Sequence, residues 1–132
     1  MLLDASAVLA YLHREPGWQM VEPWLLAQQA RVSPVNLAEV IGKLCDNGMD
    51  GDGAVAAVNA LSLQVVAFGA NEGVLAGRLR ADTRRAGLSL GDRACLATAR
   101  VLGMPVLTGD RPWLALAQPL GLDIRCIRPG TH

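Results

Sequence analysis

Ser89-Leu90-Gly91-Asp92-Arg93 opens a stretch of helical character that runs to Gly103, and Met104-Pro105 then leads into Val106-Leu107-Thr108-Gly109-Asp110. Ser89 is a favoured N-cap residue, and Gly103 is a favoured helix stop. Val106 to Thr108 is a short apolar run bounded by turn residues, the mark of a buried strand. A capped helix delivers the chain through a short turn to a strand, and each element carries an acid near its end. Asp92 stands in the first turn of the helix, and Asp110 directly follows the strand.

The same alternation extends in both directions. Residues 1–4 read as a buried strand, followed by a helix over about 6–14 and a break at Pro16-Gly17. A second helix is expected over 18–29, and a short strand over Arg31-Val32-Ser33. Ser33-Pro34 supplies the N-cap and N1 residues of a third helix with the apolar stripe Leu37, Val40, Ile41 and Leu44. Asn47-Gly48 ends it. A helix over 53–62, a strand from Leu63 to Phe68 and a helix over 71–86 follow. The last of these should bury Leu75, Leu79 and Ala86, with Arg78, Asp82 and Arg85 on its other face, and stop at Gly87. A short helix after Asp110 and a strand from Ile124 to Ile127 complete the chain. Strands alternating with helices predict an α/β fold, with a parallel sheet of four to five short strands covered on both faces.

Four acids occupy strand ends or helix starts: Asp4, Glu39, Asp92 and Asp110. In an open α/β sheet, ligands bind outside the carboxyl ends of the strands. Carboxylates gathered there repel by roughly 3–4 kcal/mol per close pair at an effective dielectric of about 20. A hard divalent cation or raised pKa values would relieve that repulsion. Each acid also has a structural reading. Asp4 suits a helix N-cap, and Glu39 suits a solvated helix face. Asp92 completes a capping box with Ser89, and Asp110 can cap the helix that Pro112 helps to start.

The chain has 132 residues, the usual size of one domain, and we expect residues 1–132 to form a single one. Hydrophobic residues make up 52%, enough for a filled core, but no apolar run of 18 residues exists to span a membrane. With no cleaved signal pattern at the start, a soluble, cytoplasmic protein is expected. Cys45, Cys95 and Cys126 form no C-x-x-C pair and are expected to be reduced, buried thiols. His13 and His132 are far apart, so a zinc site or a Ser-His-Asp triad is poorly supplied. Net charge is zero. All basic residues except Lys43 are arginines, a bias that either the fit of a forked guanidinium to phosphate or a genome favouring arginine codons explains.

Taken together, order, spacing and flanking residues resemble the PIN-domain family, and within it the VapC-like toxin ribonucleases. Leu3-Asp4-Ala5-Ser6 is similar to the family's opening motif, and Asn36-Leu37-Ala38-Glu39-Val40 to its helical glutamate motif. Leu90-Gly91-Asp92-Arg93-Ala94 resembles the third-acid motif. Val106-Leu107-Thr108-Gly109-Asp110-Arg111 resembles the segment that carries the last Thr and Asp. Some relatives carry a further acid shortly after Asp110, where this chain has Pro112-Trp113. The resemblance covers essentially the whole chain and implies a PIN-like three-layer sandwich. It also implies an endoribonuclease dependent on Mg²⁺ or Mn²⁺, the toxin of a toxin–antitoxin pair. On this reading Asp4, Asp92 and Asp110 are metal ligands, and Glu39 binds metal or orients water. Ser6 and Thr108 support the carboxylates, and Arg93 and Arg111 touch RNA phosphates or else form ordinary surface ion pairs. The implied partners are an RNA substrate, a small antitoxin and a second copy in a homodimer. Tyr11, Leu12, Trp18, Met20, Val21, Trp24, Leu25 and Leu26 crowd the first two helices, more apolar surface than one narrow stripe requires; core packing accounts for most of it and a partner groove for the rest.

Two other readings stand beside it. A PIN-like fold could serve as a non-catalytic interaction module, or the same metal chemistry could act on DNA. A phosphotransfer receiver would want paired acids after the first strand and a lysine near a late strand. A haloacid-dehalogenase-type phosphatase would want a second Asp where this chain has Ser6.

Overall fold

In the computed structural model, which describes residues 1–129, Leu2–Leu3 (β1) is flanked by two strands far from it in sequence. Arg31–Val32 (β2) pairs on one side and Val106–Thr108 (β4) on the other; Gln64–Val65 (β3) lies beyond β2 and Ile124–Cys126 (β5) beyond β4. The order is β3-β2-β1-β4-β5, and every pairing is parallel. Leu2 sits opposite Val106 and Leu3 opposite Leu107. The chain therefore builds outward from β1 in one direction, returns, and builds outward in the other. The reversal lies between β1 and β4, the position at which α/β sheets open a crevice. His132 lies outside the described residues.

The helices are α1 (Ala5–His13), α2 (Glu22–Leu26), α3 (Pro34–Asp46), α4 (Gly51–Asn59), α5 (Ala70–Asp82), α6 (Leu90–Leu102) and α7 (Ala117–Leu120). Tight 3₁₀ turns at Trp18–Met20, Arg84–Ala86 and Arg111–Leu116 join them. Successive strand residues point to opposite faces, so the sheet feeds two cores. Leu3, Leu107 and Ile127 pack with Val8, Val21, Val40 and Leu44 on one face. Leu2, Val106 and Ile124 pack with Leu79, Leu88, Leu96 and Trp113 on the other. This is the three-layer arrangement expected from the alternation of elements.

Several local expectations change. The helix over 18–29 is instead a 3₁₀ turn and the five-residue α2. Pro23 lacks an N–H and stands at the start of α2, so one continuous helix cannot run through it. The helix over 71–86 ends at Asp82, where Thr83 Oγ1 donates to Leu79 O at 2.7 Å. The chain then tightens into the 3₁₀ turn, the 3.6-residue phase is lost, and Ala86 is exposed rather than buried. Cys45 is likewise exposed, because Leu44 takes the buried face of α3 and the next residue turns about 100° away from it. Cys95 is buried as expected, and Cys126 is half-buried. The strand expected over 63–68 is reduced to Gln64–Val65, an exposed edge.

Candidate active site

Asp4 ends β1 and caps α1. Its backbone is extended, and its Oδ1 accepts a hydrogen bond from Ala7 N at 2.8 Å. Ser6 Oγ donates to the same carboxylate, 2.7 and 2.9 Å from its two oxygens, and Thr108 Oγ1 donates to Oδ2 at 2.6 Å. Each hydroxyl also accepts from the loop after β4: Gly109 N to Ser6 Oγ at 2.7 Å, and Asp110 N to Thr108 Oγ1 at 3.0 Å. Ser6 and Thr108 thus join the end of β1 to the loop that carries Asp110. Asp4 is buried, and its pKa is pushed up from 3.8 to about 6. Burial is the main cause; the bonds from Thr108, Ser6 and Ala7 oppose it, and the charge of Asp92 adds to it.

Asp92 forms the capping box that its spacing from Ser89 suggested. Asp92 N donates to Ser89 Oγ at 3.1 Å, and Ser89 N donates to Asp92 Oδ2 at 2.9 Å. Capping and a place in the site are compatible, because this bond engages one carboxylate oxygen. Glu39 is held by Asn36, the first residue of its own motif, to which motif reading assigned no role. Asn36 Nδ2 donates to Glu39 Oε1 at 2.7 Å and to Gly91 O at 3.0 Å, and Ser33 Oγ donates to Asn36 Oδ1 at 2.8 Å. Asn36 therefore stitches the first turn of α3 to the first turn of α6. Gly91 completes the fit, since a Cβ there would collide with the Glu39 carboxylate. The signal in the sequence was the spacing Ser33-x-x-Asn36-x-x-Glu39, which puts all three at neighbouring positions where α3 starts.

Asp110 precedes the 3₁₀ turn Arg111–Leu116 but makes no side-chain capping bond, so the capping alternative fails for this acid. Its pKa is raised by partial burial and by the charge of Asp92, while the nearby Trp113 indole works in the opposite direction. That N–H is buried and has no partner in hydrogen-bonding geometry.

Asp4, Ser6, Glu39, Asp92 and Asp110 line one cavity of about 200 Å³, with Lys43 the sole cation among its lining residues. Lys43 lies one turn beyond Glu39 on α3. Below the acids, burial and then the charges of Asp4, Asp92 and Glu39 push the Cys95 thiol well up, so it stays protonated. Among the described residues, no three His, Cys, Asp or Glu side chains come close enough to enclose an ion directly. The donor set is still suited to a hydrated hard cation. It consists of carboxylate oxygens, one of them deeply buried, in a space that admits water, and Mg²⁺ commonly keeps several waters beside one or two carboxylates.

The two arginines singled out in the sequence do not line this cavity. Arg93 Nη1 donates to Ala76 O at 2.9 Å, and Arg111 Nη2 donates to Arg128 O at 3.0 Å and to Pro129 O. The arginine that grips the Asp110 loop is Arg128. It donates to Gly109 O at 3.3 Å and to Pro16 O at 2.8 Å, and pairs with Glu15 at 3.1 Å. No motif pointed to it.

A family model for the PIN domain matches residues 1–118. The chain belongs to the PIN-domain family. That family is one of nucleases, which generally use divalent metal ions. Among solved structures, the PIN fold recurs in DNA-bound VapBC from Salmonella typhimurium, at 20% identity over 96% of each chain with a TM-score of 0.75. VapBC2 from Rickettsia felis, bound to a promoter DNA fragment, aligns at 15% identity with a TM-score of 0.73, covering 95% of this chain and 96% of that one. VapBC-1 from nontypeable Haemophilus influenzae aligns at 16% identity over 96% of each chain, with a TM-score of 0.65. No curated protein matches the sequence.

Proposed function

We propose that this PIN-domain protein is the toxin of a toxin–antitoxin pair, an endoribonuclease dependent on Mg²⁺ or Mn²⁺. The observation that carries the reading is the convergence of four acids in one cavity at the reversal point of a parallel sheet. Asp4, Asp92 and Asp110 would hold the ion, directly or through water. When bound, the ion supplies a counter-charge for the phosphoryl oxygens and lowers the pKa of water. The remaining work falls to the chain. Ser6 and Thr108 hold Asp4 in one orientation, and Asn36 and Gly91 hold Glu39 against the start of α6. Glu39 then either shares in holding the ion or orients the attacking water and accepts its proton. Arg93 and Arg111 would have to leave main-chain carbonyls to reach RNA, so we assign them to supporting α5 and the C-terminal segment instead.

The partner reading draws on the first two helices. Met20 and Leu26 are exposed, and a cavity of about 260 Å³ is lined by Tyr11, Leu25, Leu26 and Leu61. The VapBC names of the structural neighbours point the same way. We further propose that residues 1–132 act as one domain, that the toxin is a homodimer, and that it works in the cytoplasm. Among the described residues, no helix is long and apolar enough to cross a membrane.

The test is cleavage by purified protein. RNA should be cut internally with Mg²⁺ or Mn²⁺ and left intact in EDTA. Asp4→Ala and Asp110→Ala should each abolish cutting while circular dichroism stays native. Alanine variants that cut like wild type would sink the assignment. Cutting of DNA alone would correct the substrate class, and metal-independent inertness toward all nucleic acid would leave a scaffold.

A further inference from the structure

Asp110 lines two cavities. Besides the acid cavity it borders a larger one, of about 380 Å³, whose walls include Arg85, Leu88, Pro112, Trp113, Ala115 and Leu116. The two spaces are neighbours that share Asp110 as a wall. The larger one is mostly apolar, yet Trp113 lines it with a buried indole N–H that has no hydrogen-bond partner. That N–H is enclosed beside Asp110, so it reports on the groove wall rather than meeting an occupant directly.

Arg85 stands on the wall of this groove, and Arg84 precedes it in the chain. Arg93, Arg111 and Arg128 are each held by carbonyls or a carboxylate. Arg84 and Arg85, both exposed, make no side-chain hydrogen bond or ion pair among the described residues. They end a run, residues 78–85, holding Arg78, Arg80, Arg84 and Arg85 against Asp82 alone, in a chain of zero net charge. An unengaged guanidinium on the wall of an apolar groove matches one kind of occupant better than a protein segment. Single-stranded nucleic acid presents a flat, apolar-faced base with acceptor edges and a phosphate beside it.

We propose that this groove is a nucleotide subsite of the substrate track. It takes the base and ribose of the nucleotide next to the phosphate at the acid cavity, with Arg85, assisted by Arg84, on the adjoining phosphate. The proposal rests on the ribonuclease reading and adds where the strand runs, from the acids past Trp113 toward the end of α5.

The experiment follows the three tryptophan indole N–H signals by NMR in Mg²⁺-saturated full-length protein, assigned by single Trp→Phe variants. AMP, CMP, GMP and UMP are titrated separately, with inorganic phosphate as control. The Trp113 signal should move with at least one nucleotide and not with phosphate alone. Ala115→Phe, which fills the groove, should abolish the movement. Arg85→Ala should weaken binding about two- to fivefold, the range of an exposed ion pair. With a defined RNA, Arg84→Ala and Arg85→Ala should raise KM by a similar factor and leave kcat near wild type. Should Ala115→Phe fail to fold, the two exposed arginine variants still decide the matter. A Trp113 signal indifferent to millimolar nucleotide overturns the proposal, as does one that moves on protein dilution alone, which would give the groove to a second copy. Equal responses to deoxynucleotides would keep the subsite and extend it to DNA. If wild type cuts RNA while Trp113 ignores nucleotides, the subsite falls alone. If it cuts nothing while Trp113 responds, the ribonuclease reading falls and the nucleotide site stands.

Discussion

Replacing Asp4 by Asn removes the one deeply buried charge of the acid cavity while keeping the shape of the side chain. In the metal-free fold this carboxyl titrates at about 6 rather than 3.8. The unfolded chain therefore loses its proton first as pH rises, and the folded chain holds it longer. Stability from this group is full below about pH 4 and is lost as pH passes through about 6. A gap of about 2 pH units corresponds to roughly 3 kcal/mol. Asn escapes that loss, but not without cost. Ser6 and Thr108 both donate to the carboxylate while accepting from Gly109 N and Asp110 N. An amide offers one acceptor oxygen, so one of those donations fails, at about 1 kcal/mol. The expected net gain above pH 7 is about 1–2 kcal/mol, a rise of roughly 3–8 °C in Tm for a domain of this size. Thermal melts in EDTA across pH 4–8 measure it. The wild type should lose stability between pH 4 and 7 relative to the variant. If the Asn variant melts no higher at pH 8, or both proteins share one pH slope, burial does not dominate at Asp4 and the account of its charge is wrong.

The remaining expectations concern how the acids are held. Mg²⁺ or Mn²⁺ at 100 times its Kd should stabilise wild type by about 2.7 kcal/mol, and Asp92→Asn should remove most of that gain in the same melts. Gly91→Ala pushes a methyl into the Glu39 carboxylate; RNA cleavage should fall about 100-fold with far-UV circular dichroism unchanged, and a wild-type rate would show that Glu39 needs no fixed position. Asn36→Ala leaves Gly91 O and Ser33 Oγ short of a buried partner and should cost about 1–3 kcal/mol in urea unfolding. Arg128→Ala frees the Asp110 loop from Glu15 and Pro16, so kcat should drop more than KM rises, with partial rescue by Arg128→Lys.

Much of the architecture was legible because the signals are local. Ser33 and Ser89 cap the helices they were expected to cap, each accepting from the backbone N–H three residues on. Gly87 and Gly103 stand just past helical segments in left-handed conformations, where a Cβ would be strained. The alternation of elements led to a parallel sheet, and the motif resemblance to the PIN domain. The local misreadings have local causes as well. Pro23 and the tightened turn at Arg84–Ala86 interrupt a helical phase that apolar content alone does not reveal.

The chain by itself determined which residues carry charge, where helices begin and stop, and that four acids fall at element ends. Those choices rest on capping bonds and periodicities that span three or four residues. Only the tertiary structure decided that β1 lies at the centre of the sheet, that Thr108 reaches across to Asp4, and that Asn36 joins Glu39 to Gly91. Leu2 meets Val106 because two apolar faces must both be buried by the same strands, and that requirement belongs to the packed chain as a whole. Burial also sets the charge behaviour of the site. The sequence named Asp4, but what raises its pKa is the removal of water by its neighbours on β1, α1 and β4, and no local pattern records that.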